Sequence, residues 1–101
     1  MTAKYLVLFP RGSMFDKEYY VKHHMPLIAK HYPDAFLKWE VVELAADCIY
    51  EIATRVEWIT AEAFESLHDS EAGKVIYADI PNFATAAPIF SKEEKVLGSG
   101  P

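Results

Sequence analysis

A proline interrupts a helical periodicity in Phe15 to His31 (FDKEYYVKHHMPLIAKH), and no other stretch constrains the fold as much. The segment holds three of the chain's four histidines and two of its six tyrosines. At about 100° per residue, Asp16, Tyr20, His23, His24, Leu27 and His31 share one broad face. Lys17, Glu18, Val21, Lys22, Met25 and Lys30 lie off it, with the charged members in water. A helix that only packed would place leucine and valine inward, so a tyrosine, histidine and leucine stripe predicts a helix facing a pocket. Pro26 removes the hydrogen bond to the Lys22 carbonyl and bends or breaks the helix beside His23 and His24. That bend is either a change of direction around the core or a device that sets the histidines.

The other periodicities place this helix in a domain. Lys4 to Phe9 (KYLVLF) is apolar on both parities, as a strand covered on both faces is, and Pro10 to Ser13 closes it as a loop. Ser13 or Asp16 caps the helix. After a turn at Tyr32-Pro33-Asp34, Phe36 to Leu44 alternates imperfectly, with Leu37, Trp39 and Val41 on one face. Tyr50 to Trp58 (YEIATRVEW) alternates cleanly, and Ala45 to Cys48 joins the two as an antiparallel hairpin. Thr60 caps a second helix carrying Ala63, Phe64 and Leu67; Ser70 with Glu71 restarts it over Val75, Ile76 and Tyr77, and Pro81-Asn82 ends it. Ala86 to Phe90 is a last strand that Pro88 pushes to a sheet edge. Residues 93–101 form a charged, then Gly/Ser-rich tail that frays.

Strand, helix, strand, strand, helix, strand within 101 residues predicts a single α+β domain of ferredoxin-like βαββαβ form. Two helices then cover one face of a four-stranded antiparallel sheet. With Tyr, Phe and Trp on both strand parities, the bare face is expected to meet that of a second copy about a two-fold axis, giving a homodimeric α/β barrel. A composition 51% hydrophobic and 14% aromatic agrees with apolar surface hidden by a partner copy or around an apolar ligand. The net charge of −5, without a basic run, argues against nucleic acid as a partner. No apolar run reaches bilayer length, so no membrane is expected. The chain enters directly into a strand pattern without a secretory segment, and its one cysteine, Cys48, fits a reducing compartment. A cytoplasmic location is the expectation.

Phe9-Pro10-Arg11, Phe15-Asp16, Tyr19-Tyr20 and His24-Met25-Pro26-Leu27, with the spacing F-D-x-x-Y-Y-x-x-x-H-x-P-L, resemble the EthD family, named for a protein associated with ethyl tert-butyl ether degradation. Ser70, Gly73, Ala78-Asp79 and Asn82-Phe83 look like that family's second-helix region. The resemblance implies a dimeric α+β barrel, in a superfamily that also holds cofactor-free quinol-forming monooxygenases, muconolactone isomerases and polyketide cyclases. It carries over onto Tyr20, His24, Pro26 and Leu27, and not onto His23, His31 or His68.

Tyr20 and His24, four apart on a helix, form the candidate catalytic pair. Imidazole titrates near neutrality and exchanges protons, and a phenol donates to a carbonyl or enolate oxygen. The alternative is a core histidine satisfied by a backbone carbonyl beside a packing tyrosine. Burial would lower the His24 pKa and keep the ring neutral. Candidate substrate-binding residues are Arg11, His23, Leu27, Trp39, Trp58, His68 and Tyr77. Arg11 would meet an anionic group or else Asp16, and the aromatics would serve as pocket wall or as plain core. No metal is expected, because the histidines lack metal-ligand spacing, and no cofactor, because no glycine-rich nucleotide loop occurs. Cys48 has nothing beside it to activate a thiol. The expected function is binding of a small apolar or aromatic oxygenated metabolite. If the protein is an enzyme, it is a cofactor-free oxidoreductase of monooxygenase type, or an isomerase or cyclase. A non-catalytic metabolite-binding module or a structural dimerisation domain is the alternative.

Overall fold

β1 (Ala3–Pro10), apolar on both parities, lies in the interior of the sheet with a hydrogen-bonded neighbour on each edge. The computed structural model describes residues 2–101. β1 runs antiparallel to β3 (Tyr50–Trp58) on one side and β4 (Ile89–Lys92) on the other, and β2 (Phe36–Glu43) pairs with β3. The order β2-β3-β1-β4 is that of the ferredoxin-like α+β fold.

The helical layer is built from short pieces, each with a local cause. Asp16, not Ser13, is the N-cap: its carboxylate accepts from the Tyr19 amide at 3.1 Å and opens α1 (Lys17–Tyr19). A π-helical turn (Tyr20–His24) follows, then α2 (Met25–His31). Thr60 caps α3 (Ala61–Glu65), and Ser70 caps α4 (Glu71–Ala78), as the sequence predicts. Between them, Ser66–His68 is a 3-10 turn, and a second such turn, Ile80–Asn82, follows α4. Among the described residues no helix is long and apolar enough to cross a membrane.

The two sheet faces differ from expectation. Paired residues share a face, and the pairs Phe36–Trp58, Trp39–Val56 and Val7–Phe90 put the sheet's large aromatics on the helix side, with Tyr5 and Phe9. There Tyr5 stacks on Phe64 at 3.9 Å, while Trp58, 2% exposed, packs against Tyr32, Phe36 and Phe64. The bare face has no aromatic row. It carries an apolar row of Val42, Ala53, Leu8 and Ile89, then Glu40, Arg55, Leu6 and Ser91, then Lys38, Glu57 and Lys4. A register shift between Phe36 and Lys38 expels Leu37, which is 47% exposed instead of sharing a face with Trp39. β4 begins at Ile89, three residues after the expected start, because Pro88 has no amide for the ladder.

Gly73 fixes how α4 leaves the turn before it. A Cβ there would stand 1.7 Å from the Leu67 carbonyl oxygen, a backbone atom that has no rotamer with which to move aside. Alanine in a helix interior ordinarily gains about 1 kcal/mol over glycine. Here overpacking of about 3 kcal/mol or more outweighs that gain. Gly73→Ala should therefore lower the melting temperature by roughly 10 °C or more, read by thermal denaturation.

Candidate functional site

The π-helical turn is what aims His24. Pro26 offers no amide to the Lys22 carbonyl, and its ring crowds that oxygen. The chain widens just upstream, so that the Met25 amide bonds five residues back to the Tyr20 carbonyl. The phase of a regular helix fails across this turn. His23 and His24, predicted on one face, separate: His24 is 5% exposed and His23 lies in solvent, its ring 4.9 Å from that of Tyr19.

His24 meets Asp79, the residue that closes α4. Its Nδ1 donates to Asp79 Oδ2 at 3.0 Å, while Asp79 Oδ1 accepts from Tyr19 Oη at 2.6 Å and from Asn82 Nδ2 at 3.0 Å. Burial pushes the Asp79 carboxyl up, but its bonds from Tyr19, Asn82 and His24 outweigh this and hold it below the usual carboxylate range. An ionised carboxylate only accepts, so the His24 proton sits on Nδ1 and Nε2 keeps its lone pair. Burial lowers the His24 pKa, and Asp79 only partly offsets it. The ring is neutral at pH 7.

His24 lines a cavity between the helices and the sheet, with Phe9, Tyr20, Trp58, Phe64 and Tyr77 among its walls and Pro88 and Phe90 from the last strand region. The cavity has a volume of about 480 Å³ counted to its open mouth. Tyr20 lies parallel to His24, ring centres 5.5 Å apart, and shares a 2.6 Å hydrogen bond with the buried Thr54 Oγ1. Burial pushes its phenol to about 12, against a smaller lowering by Thr54, so it is a neutral hydroxyl.

Of the sequence candidates, His24, Tyr20, Trp58 and Tyr77 come together on this cavity. Arg11 does not. Its guanidinium donates to the carbonyls of Cys48 and Ala45 at 2.9 Å each, clamping the β2–β3 connection, and it bonds neither Asp16 nor the cavity. Leu27 and Trp39 are half-buried supports of the core outside the cavity wall. His68 is exposed and stacks on Tyr77 at 5.7 Å. Sequence reasoning gave no role to Asp79, Tyr19, Asn82 or Thr54. Asp79 and Asn82, three apart at a helix end, were the available signal, but their distance from His24 in the chain hid the contact.

No protein-family model matches the chain, and no curated protein matches its sequence. Solved structures do. An EthD-like protein from Ralstonia eutropha JMP134 is 24% identical, covering 97% of this chain and 95% of that one, with a TM-score of 0.80. An ethyl tert-butyl ether degradation (EthD) family protein from Bacillus halodurans C-125 is 17% identical over 95% of this chain and 100% of its own, TM-score 0.69. SnoaB, a cofactor-independent oxygenase from Streptomyces nogalater, is 10% identical over 97% of both chains, TM-score 0.59. The chain has the fold of these proteins, in agreement with the resemblance read from its first-helix motif.

Because the folded His24 pKa lies below its ordinary 6.5, the unfolded chain binds the proton first as pH falls. Stability linked to this group is full above pH 6.5, declines below it, and levels off under the folded pKa. An NMR titration should show a depressed pKa for His24 and an Nδ1-protonated ring. Asp79→Asn should release that tautomer.

Proposed function

We propose that the protein binds a small apolar or aromatic oxygenated metabolite in the His24 cavity and abstracts a proton from it. The observation that carries the reading is the 3.0 Å bond between His24 Nδ1 and Asp79 on a ring that lines the cavity. A neutral imidazole whose partner is a fixed carboxylate is a general base: Nε2 takes the substrate proton, and Asp79 stabilises the imidazolium that forms. Tyr20, parallel to the ring and neutral, supplies a hydroxyl beside the charge that develops on the ligand. The resulting enolate or carbanion has two fates. Reprotonation at another atom is isomerisation or cyclisation. Reaction with dioxygen is cofactor-free oxygenation, which the likeness to SnoaB favours.

The working unit in this reading is a homodimer. The apolar row Val42, Ala53, Leu8 and Ile89 crosses all four strands, and Ile89 is 49% exposed. Glu40 and Arg55 in the next row, and Lys38, Glu57 and Lys4 in the row beyond, offer both signs of charge to a second copy. Sedimentation at micromolar concentration should give a dimer, and Leu8→Glu a monomer. A wild-type monomer would remove this part of the reading.

2-Tetralone, an aromatic ketone with an acidic C–H, separates the functional classes. The wild-type protein should accelerate exchange of that proton for solvent deuterium. His24→Gln should slow the exchange by roughly 10²–10⁴-fold, with under threefold change in affinity. Binding without exchange in the wild type would identify a metabolite-binding module instead.

A further inference from the structure

Tyr77 carries a hydroxyl that the fold leaves without a partner. Its oxygen is buried, makes no hydrogen bond among the described residues, and belongs to a side chain that lines the same cavity as His24. Tyr19, Tyr20 and Tyr32 each find a partner for their hydroxyls, in Asp79, Thr54 and Ser70 respectively. Among the described residues Tyr77 carries the one buried tyrosine oxygen without a partner, although phenylalanine would fill its place without the cost of a buried, unpaired oxygen.

The ring is held, so the hydroxyl is fixed. Tyr77 stacks on His68 at 5.7 Å and 20°, and meets the edge of Phe90 at 6.4 Å and 88°. Burial, with a smaller contribution from Tyr32, raises its pKa, so the phenol keeps its proton and can donate it in a hydrogen bond. We infer that the Tyr77 hydroxyl is a further polar anchor of the cavity, beyond His24 and Tyr20, donating to a carbonyl oxygen of a planar aromatic ligand whose own acidic O–H or C–H is presented to His24. The inference rests on the proposed function and narrows its ligand class to aromatic compounds that carry both a carbonyl and an acidic proton. An acceptor-only base at one wall and a donor at another select for that pair of groups; the apolar remainder of the lining selects for the ring between them.

Three probes separate the anchors: 4-hydroxyacetophenone carries O–H and carbonyl, 4-ethylphenol the O–H alone, and acetophenone the carbonyl alone. Binding is measured by calorimetry on the wild type, Tyr77→Phe and His24→Gln. The wild type should bind 4-hydroxyacetophenone roughly three- to tenfold more tightly than 4-ethylphenol, the range of one hydrogen bond. Tyr77→Phe should abolish that preference and weaken acetophenone equally, while its affinity for 4-ethylphenol stays unchanged. Its melting temperature should equal or exceed the wild type's, because the lost hydroxyl has no partner in the fold. Equal binding of 4-hydroxyacetophenone by the wild type and Tyr77→Phe, with 4-ethylphenol still dependent on His24, would overturn the Tyr77 anchor and leave the His24 reading standing. Failure of all three probes to bind the wild type would overturn both.

Discussion

The carboxylate of Asp79 is the constraint on which the helical layer depends. Taking a charge out of water costs several kcal/mol, so a carboxylate in this position persists only if donors surround it. Three do. Tyr19 reaches it from α1, His24 from the π-helical turn and Asn82 from the turn after α4. Hydrogen bonds to a charged group are worth about 1.5–3 kcal/mol each, which brings the sum to the scale of the desolvation. The same bonds tie the first helical segment to the second across 55 residues of chain. They also choose the histidine tautomer, so the group that joins the layer is the group that prepares its chemistry.

Around that tie the molecule is strongly two-sided. The helix-facing side of the sheet gathers Tyr5, Phe9, Trp58 and Phe90, and Phe9, Phe15, Tyr20 and Phe83 meet edge-on between sheet and helices. Aromatic side chains of this bulk pack with crevices between their planes, because edge-to-face contacts leave wedges that no rigid ring fills. The cavity beside His24 lies among these rings, and Val7, Ile28, Leu67 and Ile76 complete its wall. The other face is built from Leu6, Leu8, Val42, Ala53 and Ile89 among lysine, arginine and glutamate. That mixture suits contact with a second protein surface better than a free core.

Much of this fold was legible in local chemistry. The clean alternation of YEIATRVEW marks a strand that spans Tyr50–Trp58 in the structure, and Thr60 and Ser70 each accept the amide that an N-cap accepts. Where local rules failed, a backbone irregularity intervened. A register shift at Phe36/Lys38 inverted Leu37, and a π-helical turn before Pro26 parted His23 from His24. Proline announced the second disturbance but not its form, since a kink, a break and a π turn all answer the loss of one amide. Arg11 misled for a different reason: a guanidinium has five donors, and the carbonyls of a neighbouring loop satisfy them as well as a substrate would.

By itself the sequence determined which segments are strands and helices, that Thr60 and Ser70 are caps, and that a tyrosine and a histidine share an inward helical face. Each of these follows from periodicity and from backbone groups within a few residues of one another. Only the tertiary structure decided that His24 meets Asp79, that Tyr20 meets Thr54, and that the Tyr77 hydroxyl finds no partner among the described residues. Those partners lie far apart in the chain, and no local rule brings them together. Their meeting depends on how the helices lie on the sheet, which is set by the packing of the large aromatic side chains between them.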